Sequence, residues 1–389
     1  MRPLFLLLAC LLPALARAED VREWTSRSGQ KFSAGIVASD AFRATFAMPG
    51  RGKFVLPLAQ LSEADAAYVG KWRDAHPTAP LVDPEKLAPW PAEATAGDAE
   101  VRLKWEDESI PAFVYEGVRF VVQSDVKLPV AVVRDLNAVF EATRMAVMAL
   151  PFGLHSGRDK RKYQVFLYAS AESYGHAGGQ TASGGFYDGF KDRMLILLPN
   201  LGVQIDGNKK AFDYQKNLFV VKHEVTHQLL RAWGDLLPMW FNEGFAEVIA
   251  AAPYGRGNYT FTGMDTAIGS YVQKWRSPGE LKPMYVTPPA ALLAMSPDDW
   301  KARVSGQTAY ELYNSAALFT YFLLRHDGAG DGRPIAGFLD ALRRGVPLNR
   351  ATAEHIHRGR SDEKLAADFG AFLRRSGLKF EFDGPLPSH

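Results

Sequence analysis

The feature that most constrains this chain is the pentapeptide His223-Glu224-Val225-Thr226-His227, which lies in a segment whose apolar residues have helical spacing. Two histidines four positions apart project from one face of a helix, so both imidazoles can reach a single metal ion. The glutamate between them would stand beside that ion, where a carboxylate can take a proton from water. The pattern therefore predicts a helix that carries two metal ligands and a general base.

A third ligand is expected from a second helix that follows the first. A catalytic zinc ion commonly has three protein ligands and one position open to water. Glu243, in the run WFNEGFAE, supplies a suitable carboxylate. The first helix is predicted over residues 213–233, with Gly234 and Asp235 ending it and Pro238 starting the next helix. This connection is short enough to fold the second helix back beside the first.

Glu247 lies one helical turn beyond Glu243 on the same predicted face. From there its carboxylate can accept the second ring N–H of a liganding histidine and fix the tautomer of that histidine. The alternative is a pair of surface helices with scattered acidic residues. The ordered succession of the two motifs favours the metal site over that alternative.

HEVTH followed by WFNEGFAE resembles the gluzincin metallopeptidases, and its spacing and flanks are most similar to the bacterial peptidase MA-like branch of that clan. The resemblance implies that His223, His227 and Glu243 bind one zinc ion. It also implies that Glu224 is the general base and that Glu247 is the supporting acid. The gap before the third ligand is shorter here than in the best-known aminopeptidases of the clan, so the loop and the substrate cleft are expected to differ.

Gly184, Gly185 and Phe186 precede a predicted strand and are the expected substrate-binding residues. In gluzincins an edge strand near the metal pairs with the substrate backbone, and glycines would permit this close approach. The alternative is an ordinary glycine-rich hairpin. The segment lacks the glutamate with which aminopeptidases of the clan hold a free N-terminal amine, which favours an endopeptidase.

A tyrosine near the start of a later helix is the remaining candidate catalytic residue. A phenol aimed at the substrate carbonyl would stabilise the negative charge that develops on its oxygen during amide hydrolysis. Similar family members place a tyrosine at such a helix start, and Tyr313 matches that offset better than Tyr310. The alternative is that each is a core or rim residue of an aromatic-rich chain.

The N-terminus has the pattern of a secretory signal peptide. Arg2 precedes an apolar run over residues 4–15 and a small-x-small cleavage site that ends at Ala18. Residues 1–18 are therefore predicted to be a signal peptide cleaved after Ala18, and the protein is expected to be secreted or periplasmic. Cys10 is the only cysteine and would leave with this segment, so no disulfide can stabilise the mature chain.

Charge and hydropathy give no support for nucleic acid or a membrane as a partner. The chain has 45 Lys+Arg and 43 Asp+Glu, and two of the arginines lie in the predicted signal peptide. A charge near zero gives no electrostatic reason to expect nucleic acid or an anionic membrane. No later segment has an uninterrupted apolar run of spanning length, so no transmembrane segment is expected. The resemblance leaves a polypeptide substrate as the expected partner.

Residues 19–74 are predicted to form a small all-β unit followed by a helix that starts at Ser62 and Asp65. The pattern REWTSRSGQKFSA, closing with LSEAD, resembles an SLA homology domain, a small barrel. Its eukaryotic relatives bind short peptides, which implies a peptide or protein ligand; the alternative is a spacer or docking barrel. Residues 75–100, rich in proline and alanine, are expected to be an extended linker.

The rest of the chain is predicted to be α+β. A zincin-like catalytic domain with a small mixed sheet and the HExxH helix is expected over residues 101–305, and a helical C-terminal subdomain over residues 306–389. Strands mixed with helices ahead of two long helices favour this class. Before the motif, strands are predicted over residues 115–123, 163–168 and 194–198, and a helix is predicted over residues 129–150.

These patterns predict a secreted zinc-dependent metallopeptidase with Glu224 as its general base. Zinc is preferred because two imidazoles, one carboxylate and an open position suit it, although the pattern also admits another divalent ion. One alternative is a non-catalytic, metal-containing scaffold that captures peptides through the N-terminal barrel. A second alternative is an amidase that acts on cell-wall peptides.

Overall fold

The computed structural model describes most of the chain downstream of the predicted signal peptide, which lies outside the described residues. The chain divides into two compact units, Met1–Ala79 with Arg343–Gly345 and Pro80–Leu342 with Val346–His389. The described residues are 21–50, 52–76, 83–107, 109, 112–154, 162–179, 184–201, 203–206, 209–212, 218–274, 282–305 and 309–383.

The N-terminal unit is a four-stranded antiparallel meander with one helix. Its elements are β1 (Arg22–Thr25), β2 (Lys31–Ser39), β3 (Arg43–Met48), β4 (Gly52–Pro57) and α1 (Glu63–Ala75). The strands pair in sequence order, and the Ser62 hydroxyl caps α1 by accepting from the backbone N–H of Asp65, as predicted. The core contains Trp24, Phe46 and, from α1, Val69.

The predicted closed barrel is wrong for the described part of this unit. β1 and β4 are the two edges of the sheet, and the described residues form no closed barrel. Four strands are too few to enclose a filled interior, so the apolar face of the sheet packs instead against α1 through residues such as Val69.

The larger unit is built on a six-stranded mixed sheet. β5 (Glu93–Thr95) comes before these strands in the chain and belongs to a different sheet. The strands of the sheet are β6 (Arg102–Asp107), β7 (Ala112–Glu116), β8 (Phe120–Ser124), β9 (Tyr163–Tyr168), β10 (Gly185–Asp188) and β11 (Arg193–Leu197). Their order is β10-β11-β9-β8-β7-β6, and β8, β9 and β11 run parallel. β10 is therefore an edge strand.

The single strand predicted over residues 115–123 is wrong. The structure has two antiparallel strands there, β7 and β8, which turn at Gly117. The Gly117 N–H donates to the carbonyl oxygen of Phe120 across 2.9 Å. The apolar alternation continues on both sides of this short turn, so periodicity alone did not reveal it.

The remaining elements complete an α+β unit, and the predicted α+β class is confirmed. The strands are β12 (Val203–Asp206), β13 (Lys209–Phe212), β14 (Tyr254–Gly255), β15 (Asn258–Thr260), β16 (Met284–Val286) and β17 (Phe380–Phe382). The helices are α2 (Val130–Ala149), α3 (Ala171–His176), α4 (Leu218–Leu230), α5 (Met239–Ala251), α6 (Met264–Gln273), α7 (Pro289–Ala294), α8 (Pro297–Val304), α9 (Ala309–Arg325), α10 (Arg333–Arg343), α11 (Leu348–Ala351) and α12 (Asp362–Arg375).

Part of the stretch predicted as a linker, residues 75–100, is ordered into the larger unit. β5 pairs with β15, and the Trp90 ring packs edge-on against Phe261 at a centroid distance of 5.6 Å. The predicted C-terminal subdomain belongs to the same compact unit as residues 101–305, because α9 packs along α5.

The connection between α4 and α5 follows the predicted signals. α4 ends at Leu230 and continues as a 3₁₀ turn over Arg231–Leu236, where Gly234 has a φ of +43°. Only glycine adopts such a φ at no steric cost, so the break at this residue is confirmed. Pro238 is the N-cap of α5, also as predicted. The predicted helix start at Asp213 lies outside the described residues.

None of the helices in the described part of the chain is long and apolar enough to cross a membrane. Export depends on residues 1–18 and stays a prediction.

Candidate metal centre

Two imidazoles and one carboxylate converge between α4 and α5. The Nε2 atoms of His223 and His227 lie 2.9 Å apart, and Oε2 of Glu243 lies 3.3 Å from each. In a tetrahedral site with bonds of about 2.0–2.1 Å, neighbouring ligand atoms are about 3.3 Å apart. The three side chains therefore fit one small metal ion, and they form the one such group of three among the described residues.

The apolar pattern of α4 determines which of its residues face the centre. Val221, Val225 and Leu229 are fully buried and pack α4 into the unit. His223 and His227 occupy the opposite, partly open side, with side chains that are 13% and 12% exposed. Both side chains are therefore mostly buried but still reachable from solvent.

α5 presents its acidic residues to α4 because its other faces are occupied. Phe241 and Phe245 are buried, and Gly244 faces α9. A Cβ atom at Gly244 would overlap the Thr320 side chain and the carbonyl oxygen of Ala316, both on α9. The glycine that follows the third candidate ligand is therefore required by helix packing.

Glu247 fixes the tautomer of His223. Its Oε1 atom lies 3.1 Å from Nδ1 of His223. An ionised carboxylate can only accept, so Nδ1 carries a hydrogen, and in the neutral imidazole Nε2 is the nitrogen left to bind a metal. This is the tautomer that a metal ligand requires.

The electrostatics of the centre favour a cation. Burial lowers the pKa of His223, but the charge of Glu247 and hydrogen bonds to Glu243 and Glu247 outweigh burial and raise that pKa well above its usual value. Burial raises the pKa of Glu243, but the charge of His227 and hydrogen bonds from both histidines outweigh it and hold that pKa far below its usual value. The Glu243 carboxylate thus remains charged and attracts positive charge to this point.

Glu224 points from α4 toward the edge strand β10. Its Oε2 atom accepts a hydrogen bond from the backbone N–H of Tyr187 at 2.9 Å. A Cβ atom at Gly185 would lie 3.0 Å from Cγ of Glu224 and 3.1 Å from Cγ1 of Val220, closer than ordinary contact. Glycine at position 185 therefore allows β10 to lie directly against α4.

The pairing of β10 determines which main-chain groups face outward. Leu197 N–H donates to the carbonyl oxygen of Gly184 at 3.1 Å, so Gly184 faces β11. Antiparallel alternation then turns the main chain of Gly185 and Tyr187 toward the edge of β10 that faces away from β11. The Phe186 side chain lies on the sheet face opposite Glu224, where it packs in the cluster of Tyr174, Leu195 and Leu197.

Tyr313 lies beside the candidate ligands. Its ring is 6.2 Å from the His223 ring between centroids, and the Trp300 ring packs edge-on against it at 5.7 Å. Burial raises the pKa of Tyr313, and the charges of Glu243 and Glu247 add to this effect, so the phenol stays protonated. Tyr310 is 40% exposed.

Two contributors were missed in the sequence. One is the main-chain N–H of Tyr187, which has no side-chain signature. The other is Tyr271 on α6, whose hydroxyl donates to Oε2 of Glu247. Tyr271 follows Met264 and Ile268 in the buried stripe of α6, so its spacing indicates only a core residue.

Comparisons with protein-family models, with curated proteins and with solved structures found no match for this chain.

Proposed function

We propose that this protein is a zinc-dependent metallopeptidase, with His223, His227 and Glu243 as the metal ligands. The observation that carries the proposal is the convergence of these three ligand atoms within 3.3 Å of one another beside the carboxylate-bearing Glu224. Two neutral imidazoles and one carboxylate are a preferred donor set for zinc. A purely structural zinc site is normally closed by four protein ligands, and the described residues offer three.

Zinc bound at this centre would polarise the scissile carbonyl and lower the pKa of water toward neutrality. Glu224 would accept the proton of the attacking water and deliver it to the departing amine. The hydrogen bond from the Tyr187 N–H holds the Glu224 carboxylate at the open edge of β10. The base is thus oriented before substrate binds, which avoids reorganisation during the reaction.

Tyr313 is proposed to stabilise the developing oxyanion. A protonated phenol beside the metal ligands can donate to the carbonyl oxygen as its negative charge grows. The packing of Tyr313 against His223 and Trp300 limits the directions in which its hydroxyl can point.

The proposed substrate is a polypeptide that lies along β10. An edge strand offers main-chain groups to an extended peptide, which then pairs as an additional strand. Because Glu224 is hydrogen-bonded to the Tyr187 N–H at that same edge, a peptide paired there would pass directly beside the base. Gly185 carries no side chain to obstruct it.

Two alternatives make different predictions. An amidase acting on cell-wall peptides would use the same residues on a different substrate. A non-catalytic scaffold would retain the metal and hydrolyse nothing, and its ligand would bind the N-terminal unit. The position of Glu224 beside the ligands favours catalysis, because a scaffold needs no proton acceptor there.

The decisive experiment compares wild type with Glu224→Gln. Zinc content is measured by mass spectrometry, and hydrolysis is measured on labelled casein and on cross-linked cell-wall peptides. The amide keeps the size of the side chain but cannot act as a base, so hydrolysis should fall by at least about 10²-fold. Zinc content should be unchanged. Glu381→Gln, at an exposed position on β17, is the matched control and should leave both quantities unchanged.

The outcomes separate the three functions. Casein cleavage that requires Glu224 supports the metallopeptidase. Cleavage confined to cell-wall peptides supports the amidase. Wild-type protein that holds zinc but cleaves neither substrate refutes both hydrolases and supports the scaffold.

A further inference from the structure

Tyr271 connects a third helix to the metal centre. It lies on α6, near the end of that helix, and its side chain is buried. Its hydroxyl donates to Oε2 of Glu247, while Oε1 of the same carboxylate accepts from Nδ1 of His223. A continuous chain of two hydrogen bonds thus runs from the phenol on α6 to the imidazole on α4.

The hydrogen bond from Tyr271 matters because a glutamate side chain with only one hydrogen-bond partner can rotate. Glu247 has three side-chain torsions and is 13% exposed, so water competes for its oxygens. A donor on Oε2 fixes the plane of the carboxylate and leaves Oε1 facing His223. Partners of this kind orient the ligand ring and are needed for full metal affinity.

The Tyr271 ring is itself held in place. The Lys274 ammonium lies 4.3 Å from the centroid of the Tyr271 ring and 3.2 Å from that of Phe219. The rings of Phe219 and Tyr271 are 6.3 Å apart. Phe219 precedes His223 by one turn of α4, so this packing joins α6 to the same face of α4 that carries the metal ligands.

The phenol is also a constant donor. Burial raises the pKa of Tyr271, and the neighbouring charge of Glu247 raises it further. The hydroxyl therefore keeps its hydrogen near neutral pH and remains the donor to Glu247.

We propose that Tyr271 is a positioning residue of the metal centre, which holds the Glu247 carboxylate so that His223 presents Nε2 to the metal. This inference rests on the proposed metal-binding function of His223, His227 and Glu243. Tyr271 itself touches neither metal nor substrate in this role; it acts through Glu247.

The test is Tyr271→Phe, which removes one oxygen and leaves the ring. Tyr321→Phe is the matched control, because the Tyr321 hydroxyl donates to Oδ1 of Asp265 at 2.7 Å and so also joins a phenol to a carboxylate on α6. The zinc dissociation constant of the purified full-length protein is measured by competition with a chromogenic chelator. The visible absorption of the Co²⁺-loaded protein reports the ligand geometry, and melting of the metal-free protein reports general stability.

We expect Tyr271→Phe to raise the zinc dissociation constant by about 10-fold or more and to shift the Co²⁺ spectrum. Tyr321→Phe should change neither quantity. If the two variants weaken zinc equally, the effect is loss of α6 anchoring and the inference is overturned. If Tyr271→Phe binds zinc like wild type, the inference also falls, while the proposed function stands. Wild-type protein that binds no zinc overturns the proposed function itself.

A double-variant comparison tests the route of the effect and stays informative even where Tyr271→Phe lowers stability. Glu247→Ala removes the carboxylate through which Tyr271 is proposed to act. Adding Tyr271→Phe to Glu247→Ala should then raise the zinc dissociation constant no further, because the two residues act in series. Additive effects of the two substitutions would overturn the inference.

Discussion

Gly185→Ala provides a direct test of how the proposed general base is held. The added Cβ would lie 3.0 Å from Cγ of Glu224 and 3.1 Å from Cγ1 of Val220. Carbon atoms in ordinary contact are about 3.5–4.0 Å apart, so β10 and α4 must separate by about 0.5 Å. The bond from the Tyr187 N–H to Glu224, now 2.9 Å, would lengthen to about 3.4 Å, where it is weak.

The expected consequence is a selective loss of catalysis. A displaced base should lower kcat by about 10- to 100-fold, since misplacement of a reacting group by 1 Å is worth about 10²-fold. The overpacking should also lower the free energy of unfolding by about 1–3 kcal/mol. The three atoms nearest to the added Cβ belong to Glu224, Val220 and Leu195 and not to a proposed metal ligand, so the zinc dissociation constant should not change.

The assay is steady-state hydrolysis of a substrate cleaved by wild type, with zinc titration and urea unfolding of the same preparations. Gly189→Ala is the matched control, because its Cβ would meet Cε1 of Tyr187 at an ordinary 3.8 Å. A Gly185→Ala protein with wild-type kcat would refute the argument that β10 holds the base. Loss of zinc together with activity would refute it as well, because the damage would then extend to the ligands.

Two stability predictions follow from other parts of the larger unit. Gly244→Ala should lower the free energy of unfolding by at least about 1–3 kcal/mol, because the new methyl group overlaps Thr320 and Ala316; a urea-unfolding midpoint equal to that of wild type would contradict this packing. A hydrogen bond from Lys162 is the largest of the effects that lower the pKa of Glu116 from 4.5 to about 2. The folded-state pKa is depressed, so this stabilisation is present above pH 4.5 and is lost as the pH falls through about 2. Glu116→Gln should therefore lose less stability than wild type over that interval in urea unfolding, and equal losses would show that the ion pair contributes nothing.

Local sequence signals account for the elements that carry the proposed metal ligands. The spacing of His223 and His227 depends only on the helical repeat, and Gly234 and Pro238 are breaker and starter residues that act through their own backbone preferences. The position of Glu243 also follows, because the short connection leaves α5 few ways to return beside α4. These predictions needed no knowledge of distant contacts.

Features that depend on tertiary contacts were not predictable in the same way. Tyr271 reaches Glu247 only because α6 packs against α5, and its spacing along α6 resembles that of any core residue. β16 pairs with β17 in parallel, joining Met284 to Phe380 across a long stretch of chain. Periodicity along one strand does not indicate which distant strand will pair with it.

The choice between Tyr310 and Tyr313 shows the same limit at short range. Residues three apart lie near the same face of a helix, so periodicity hardly separates them. The Trp300 ring on α8 packs edge-on against Tyr313, whereas Tyr310 is 40% exposed. A neighbour from another helix thus supplied information that the helix itself lacked.

The close contact of α5 and α9 has a mechanical consequence. Gly244 is adjacent to Glu243, and it touches α9 at Ala316, one turn after Tyr313. Glu243, the third candidate ligand, and Tyr313 therefore lie on two helices whose backbones are in direct contact at Gly244. No long side chain separates the two helices at this point. This contact between α5 and α9 fixes the distance between the Glu243 carboxylate and the Tyr313 hydroxyl. Substitutions elsewhere on the surface should therefore leave that distance unchanged.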